Sequence, residues 1–166
     1  MKKFINYSLA SKEDREILEG ILMEEDYQPL KACNIRFAVI LVTTTNEDGG
    51  VLKTFKCQPY KVKLISMKDR LLKNVDVEIH IDESYWIEAL EQKKTALLRA
   101  ALHQIEIALD KNDMPVFQDD GVVKLKLMKP DIMYFGFSEV IEKYGSDSPD
   151  IRAWDDLKSE FTGLLY

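Results

Sequence analysis

The chain contains two histidines, and one of them has a neighbour with which it could bind a metal ion. His103 and Glu106 are three residues apart, so they share one face if they lie in a helix. Imidazole and carboxylate are common zinc ligands, and bound zinc can activate water for hydrolysis. The reversed zinc motif His-x-x-Glu-His would also require a histidine at position 107, where the chain has Ile107. His103 and Glu106 are therefore remnant candidates for a site rather than a complete motif.

His80 is the other imidazole, and a hydrolase with a relocated metal site would have to combine it with His103 and Glu106. That combination requires the polar face of a strand to meet the outer face of a helix. The apolar stripe of the helix argues against such a contact, because it places His103 towards solvent. The competing interpretation is structural, with His103 exposed near an acid and His80 on a polar strand face.

The other reactive residue types form no known catalytic motif. Cys33 and Cys57 show no Cys-x-x-Cys spacing, so we predict two reduced thiols rather than a redox pair or a zinc knuckle. The chain has no Gly-x-Ser-x-Gly elbow and no glycine-rich phosphate loop. A nucleophile assembled through space, as in a Ser-His-Asp or Cys-His arrangement, stays open at this point.

The composition is that of a globular protein with a sizeable core. Of the 166 residues, 46% are hydrophobic and 31% are charged, and the length predicts a single domain over residues 1–166. The net charge of −6 is spread along the chain. It therefore indicates an ordinary solvated surface rather than a mimic of DNA.

Basic residues are concentrated in one segment, 53–73, and could contact the phosphates of a nucleic acid. They also alternate with apolar residues, which is equally typical of the solvent-facing side of strands. Nucleic-acid binding is therefore an alternative function. The residues of this basic segment are Lys53, Lys56, Lys61, Lys63, Lys68, Arg70 and Lys73.

No segment is long and apolar enough to cross a membrane. The longest apolar run, 37–42, is far shorter than the roughly 20 residues that a spanning helix needs. The start of the chain has the positive charge of a signal peptide, but Asn6 breaks its short apolar stretch. We expect a cytoplasmic protein.

Apolar periodicity predicts both helices and strands, in an order typical of an α+β fold. The sheet is expected to be small and mixed or antiparallel, and to pack on helices. The predicted helices are 11–24, 85–109, 130–145 and 149–161, and the predicted strands are 35–44, 51–57, 61–65, 75–82 and 122–127. Ser11 is typical of the cap that begins a helix. The segment 35–44 is apolar on both faces, which predicts a buried central strand, and a turn is predicted at 46–50.

Two of these elements would position the candidate residues. Apolar and polar residues alternate through 75–82, which predicts a half-exposed strand with His80 on its polar face. The helix predicted at 85–109 has one apolar stripe with Ala101 in its middle, whereas Ala100 and Gln104 flank it. The residues of the stripe are Ile87, Leu90, Leu97, Leu98, Ala101, Leu102, Ile105, Ala108 and Leu109.

Segments 77–109 and 122–145 resemble the putative phage metallopeptidase family, whose members are small zincin-like domains. In that family a strand with acidic residues leads to a tryptophan and then to a helix of the type Ala-Leu-Leu-x-His-Glu-Leu-x-His. The matching residues in this chain are Trp86, Ala96, Leu97, Leu98 and Leu102. The resemblance covers residues 28–145 and implies a zincin-like core with flanking helices at 11–24 and 149–161.

This resemblance also implies where the metal ligands and the catalytic glutamate of the family would lie. The first histidine, the glutamate and the second histidine correspond to Ala100, Ala101 and Gln104. A further histidine, downstream, corresponds to Pro130. None of the four can replace the family's residue, so we expect a degenerate motif with no bound metal and no cofactor.

The expected function is that of a catalytically inactive pseudo-metallopeptidase of phage or prophage origin. Without hydrolysis, a retained fold would act by binding a macromolecular partner, expected to be a protein such as a host factor, in the cytoplasm of the host bacterium. The alternatives are the hydrolase with a relocated metal site and the nucleic-acid-binding protein described above.

Overall fold

The described part of the chain contains a five-stranded mixed sheet and, later in the sequence, a separate two-stranded sheet. The computed structural model describes residues 2–55 and 58–129. The predicted α+β class is confirmed. In chain order the elements are β1 (Phe4–Leu9), α1 (Lys12–Leu22), α2 (Gln28–Ala32), β2 (Phe37–Thr45), β3 (Val51–Leu52), β4 (Tyr60–Leu64), α3 (Met67–Lys73), β5 (Val77–Asp82), α4 (Glu83–Glu88), α5 (Glu91–His103), β6 (Ile105–Ile107) and β7 (Leu125–Leu127).

The main sheet has the strand order β1-β2-β5-β4, and β3 pairs with the end of β2. Strands β2 and β5 are parallel, whereas the other pairs are antiparallel. Buried side chains of α1, α2 and α5 form one core with Val39, Val62 and Ile79, which lie on one face of the sheet. Because strand side chains alternate, Ile40, Glu78 and other neighbouring residues lie on the opposite face.

The local signals at the start of the chain and around β2 were read correctly. The Ser11 hydroxyl accepts a hydrogen bond from the Asp14 backbone N–H at 3.1 Å and so begins α1. Strand β2 has paired strands on both sides, as the prediction of a central strand at 35–44 requires. The turn that follows it is closed by Asn46, whose side chain accepts from the Gly50 N–H.

The prediction of a half-exposed strand at 75–82 was wrong. Strand β5 lies between β2 and β4, and its polar residues Glu78 and Asp82 are as buried as its apolar ones. Burial of these carboxylates is tolerated because each has hydrogen-bonding partners. Alternation identified the two faces of the strand, but not what covers the polar face.

The single helix predicted at 85–109 is interrupted and ends early. Helix α4 ends at Glu88, the backbone is extended at Ala89 and Leu90, and α5 then runs to His103. The predicted stripe is buried from Leu97 to Ala108, whereas its outer members Ile87, Leu90 and Leu109 are exposed. Residues 105–107 form β6 rather than helix, because β7 pairs with them antiparallel.

Several strands and one helix differ from prediction at other places. Of the strand predicted at 51–57, the described residues 51–55 form only the two-residue strand β3, and the strand predicted at 122–127 is reduced to the three residues of β7. Strand β1 and helices α2 and α3 were not predicted. The signal for α3 was present, because Ser66 caps it by accepting from the Asp69 N–H.

Some predictions concern residues outside the described part of the chain. These are the helices at 130–145 and 149–161 and the residues Lys56, Cys57 and Pro130. Within the described residues, the structure contains no helix with the length and apolar character needed to span a membrane.

Candidate functional site

The last turns of α5 bring the three helix positions of the expected zinc motif into very different environments. Ala100 is exposed, whereas Ala101 is 0% exposed and belongs to the hydrophobic core. Gln104, just after the helix, is half-buried, and its amide donates to the Tyr60 hydroxyl at 2.9 Å. Two methyl groups and an amide engaged elsewhere do not fit a zinc ion, which takes imidazole, thiolate or carboxylate ligands.

The remnant candidates His103 and Glu106 do share a location. Both line a pocket of about 250 Å³ at the end of α5, together with Asp26. The His103 ring also lies 5.9 Å from the ring of Tyr27. His103 and Glu106 are exposed, as the stripe predicted for His103. This pocket is therefore an open depression with a largely apolar lining beside the core, rather than an enclosed cleft.

His80 is engaged elsewhere, with other partners. Its Nε2 atom lies 2.9 Å from a carboxylate oxygen of Glu78, and its ring lies 6.0 Å from that of Tyr7. In the ranges 2–55 and 58–129, no three His, Cys, Asp or Glu side chains form a group that could hold a metal ion. The set of His80, His103 and Glu106 is thus not brought together.

The basic segment is not a continuous cationic surface. Arg70 is buried, and its guanidinium binds Asp120 at 3.0 Å and also donates to Gln118. Lys73 lies 2.6 Å from Glu78, and Lys63 lies 3.8 Å from the same carboxylate. The lysines of this segment among the described residues are all exposed, although two of them, Lys63 and Lys73, lie beside Glu78; the other three are Lys53, Lys61 and Lys68. A phosphate backbone could not contact Arg70 without breaking its ion pair.

A buried ion cluster joins the starts of the two parallel strands, and the sequence analysis missed it. The Asp76 carboxylate accepts from the Arg36 backbone N–H, from Nε and from Nη2, each at 2.8 Å. Arg70 approaches the same carboxylate at 3.9 Å. A signal was available, because Arg36 and Asp76 each directly precede a strand. Nothing in the sequence, however, shows that those strands are neighbours.

The hydrogen bonds of these carboxylates affect their protonation. Burial alone would raise the pKa of Asp76, but the hydrogen bonds from Arg36 outweigh it and hold the pKa below its ordinary value. The pKa of Glu78 is lowered against burial by hydrogen bonds from Lys73 and His80. The pKa of Asp82 is likewise lowered against burial by hydrogen bonds from Ser84 and Thr54.

We expect these lowered pKa values to make the protein lose stability in acid. A carboxylate whose pKa is lower in the folded than in the unfolded chain stabilises the fold above its unfolded pKa. That contribution is lost as the pH falls through the folded pKa. The free energy of unfolding, measured with urea, should therefore begin to decrease as the pH falls through about 4 and continue below it.

The variant Glu78→Gln supplies the control for this pH dependence. It cannot ionise at position 78, so its unfolding free energy should be lower than that of the wild type at neutral pH and should change less in acid. Equal pH dependence in the two proteins would show that Glu78 makes no such contribution.

Comparison with known proteins identifies one family. The family model described as "Putative phage metallopeptidase" matches residues 7–162. No curated protein and no solved structure matches the chain. The family match extends beyond 28–145 at both ends, and it includes the segments 11–24 and 149–161 that the sequence analysis placed outside the core.

Proposed function

Because the chain belongs to the putative phage metallopeptidase family, we propose that it is a member without peptidase activity that acts by binding a macromolecular partner. The environment of Ala101 carries this proposal. This residue takes the place of the catalytic glutamate in the expected register, and its side chain is sealed in the core. No water molecule could be activated there by a side chain at that position.

The chemistry of the neighbouring positions supports the same conclusion. Zinc-dependent hydrolysis requires protein ligands for the metal and a general base for the attacking water. Ala100 and Ala101 supply neither, and the Gln104 amide is hydrogen-bonded to Tyr60. Loss of a single ligand could be compensated by a water molecule, but loss of all these groups removes both the Lewis acid and the base.

The partner in this proposal is a protein of the bacterial host, encountered in the host cytoplasm. The family's association with phages motivates that choice. In this proposal the fold has other side chains at the catalytic positions, so the protein would function by recognising its partner through its surface. The chain's exposed surface, and not the helix positions of the motif, would make the contact.

Elemental mass spectrometry of the purified chain, dialysed without chelator, tests the loss of the metal. We expect far less than one zinc per chain and no hydrolysis of unstructured protein substrates, because the ligand positions hold methyl and amide groups. The matched variants are His80→Ala and His103→Ala, which remove the only imidazoles of the chain.

Three results would contradict or redirect this proposal. About one zinc per chain, together with hydrolysis, would overturn it. If that activity disappeared in His103→Ala, the relocated site would be the correct alternative.

For partner binding, a complex reconstituted from purified components should persist in a chelator such as EDTA. A complex that formed only after zinc was added would show that binding depends on metal and would contradict this part of the proposal.

A further inference from the structure

Strand β1 forms an edge of the main sheet, and in the described ranges no strand pairs with its outer side. All six of its residues are exposed. Three of its four apolar residues lie on the face opposite α1, α2 and α5: Ile5 is 51% exposed, Tyr7 63% and Leu9 70%. A strand with these properties offers both unpaired backbone groups and an apolar surface to another strand.

The two edges of the sheet differ in how they are protected against pairing. Natural edge strands are commonly guarded by lysines, prolines or bulges. The opposite edge, β4, carries Lys61 and Lys63 and follows Pro59. Strand β1 contains no charged residue and no proline, and its register with β2 runs without a bulge. The unguarded edge is therefore the one suited to a partner strand.

One hydrogen bond determines which backbone groups of β1 face outwards. Ala10, directly after the strand, donates its N–H to the Val39 carbonyl at 3.0 Å. In an antiparallel pair, inward- and outward-directed residues alternate. The N–H and C=O groups of Ile5, Tyr7 and Leu9 are therefore directed away from β2, towards the free edge.

We propose that β1 pairs antiparallel with β1 of a second copy of this chain, with Tyr7 on the two-fold axis. In this register Ile5 faces Leu9 of the second copy, and Tyr7 faces Tyr7. These are the residues whose backbone groups are free, and about six hydrogen bonds can form between them. Their side chains also lie on one face, so the register places apolar groups beside apolar groups.

Charges at the two ends of β1 fit the same register. Lys3 of one copy would lie opposite Ser11 of the other, at the start of α1. The first turn of that helix carries Glu13 and Asp14. The two-fold axis repeats this arrangement, so each end of the paired strands brings a cation beside an acidic helix start. The interface is isologous, as a two-fold dimer requires.

Sedimentation velocity over a concentration series tests the dimer. Tyr7→Pro removes an N–H that points away from β2, so it should leave the β1–β2 pairing intact. We expect it to raise the dimer dissociation constant by about tenfold or more. The control Tyr7→Thr keeps the N–H and should weaken the dimer less. A wild-type chain that is monomeric at all concentrations, or a dimer unaffected by Tyr7→Pro, would overturn the proposal.

Cysteine cross-linking tests the register and does not depend on the proline variant. In a background with Cys33→Ser and Cys57→Ser, Tyr7→Cys should form an intermolecular disulfide under mild oxidation. The two Cα atoms would be about 5.5 Å apart. Leu9→Cys is the control, since its two copies would be about 14 Å apart. Absence of the Tyr7→Cys link, or equally fast linking of Leu9→Cys, would overturn this register.

Discussion

Replacing Asp76 by alanine is expected to lower the free energy of unfolding by about 2–4 kcal/mol, because the partly exposed Arg36 loses its counter-charge and the buried Arg70 keeps only Asp120. Asp76 is 2% exposed and accepts three hydrogen bonds from Arg36. The buried Arg70 would lose one of its two nearby carboxylates. Urea unfolding monitored by circular dichroism measures the loss.

Two further variants separate the charge of Asp76 from other effects. Asp76→Asn keeps the size of the side chain and part of its hydrogen bonding, so its loss of stability should be intermediate. Asp48→Asn makes the same change in an exposed turn and should alter stability by about 0.5 kcal/mol or less. An Asp76→Ala variant as stable as Asp48→Asn would contradict a structural role for the cluster.

The position of this cluster explains why its effect should be large. Arg36 and Asp76 also bond through their backbones, since the Asp76 N–H donates to the Arg36 carbonyl at 2.8 Å. The next residues, Phe37 and Val77, are the first pair of the parallel strands β2 and β5. The cluster therefore fixes the start of the only parallel pair in the described sheet, and its loss weakens the centre of the fold.

Introducing glutamate at Ala101 is expected to destabilise the protein by about 3–5 kcal/mol, because the carboxylate would be buried without a partner. Ala101 is fully enclosed by the core. The matched control is Ala100→Glu, one residue earlier in α5 and exposed, which should cost about 0.5 kcal/mol or less. Urea unfolding of both variants and the wild type gives the comparison.

The pH dependence of Ala101→Glu identifies the cause. Burial raises the pKa of a carboxyl group, to about 8–9 for a fully buried glutamate. Relative to the wild type, the variant should therefore lose less stability at pH 5, where the carboxyl group is protonated, than at about pH 9. Similar stability of Ala101→Glu and Ala100→Glu would mean that position 101 borders an open cleft. That result would remove the observation on which the proposed loss of activity rests.

The local sequence was sufficient to predict elements whose apolar residues mark one buried face, as in a helix, or two buried faces, as in a central strand. Continuous β-branched and apolar residues identified β2 as a central strand, and helical spacing identified the buried part of α5. These features follow from the 3.6-residue and two-residue periods of side-chain direction. The same reasoning placed His103 towards solvent and Ala101 in the core, as the structure has them.

The environment of the candidate residues depended on contacts between distant segments. Gln104 meets Tyr60, which is 44 residues away, and Arg36 meets Asp76, which is 40 residues away. Periodicity tells which face a side chain occupies but not which segment covers that face. The acidic face of β5 was therefore read as exposed, and Arg70 was assigned to a free basic surface although it is paired in the interior.

Pairing between strands decided the remaining differences. Residues 105–107 fit the apolar stripe of a helix, yet they form β6 because β7 lies beside them. The N-terminal segment alternates apolar and polar residues from Ile5 to Leu9, a strand pattern that was not used in the prediction, and it forms β1 by pairing with β2. The sequence by itself determined the intrinsic preferences, the buried faces and the absence of zinc ligands at positions 100, 101 and 104. Only the tertiary structure decided which backbone groups found partners, because that depends on strands brought together by the whole fold.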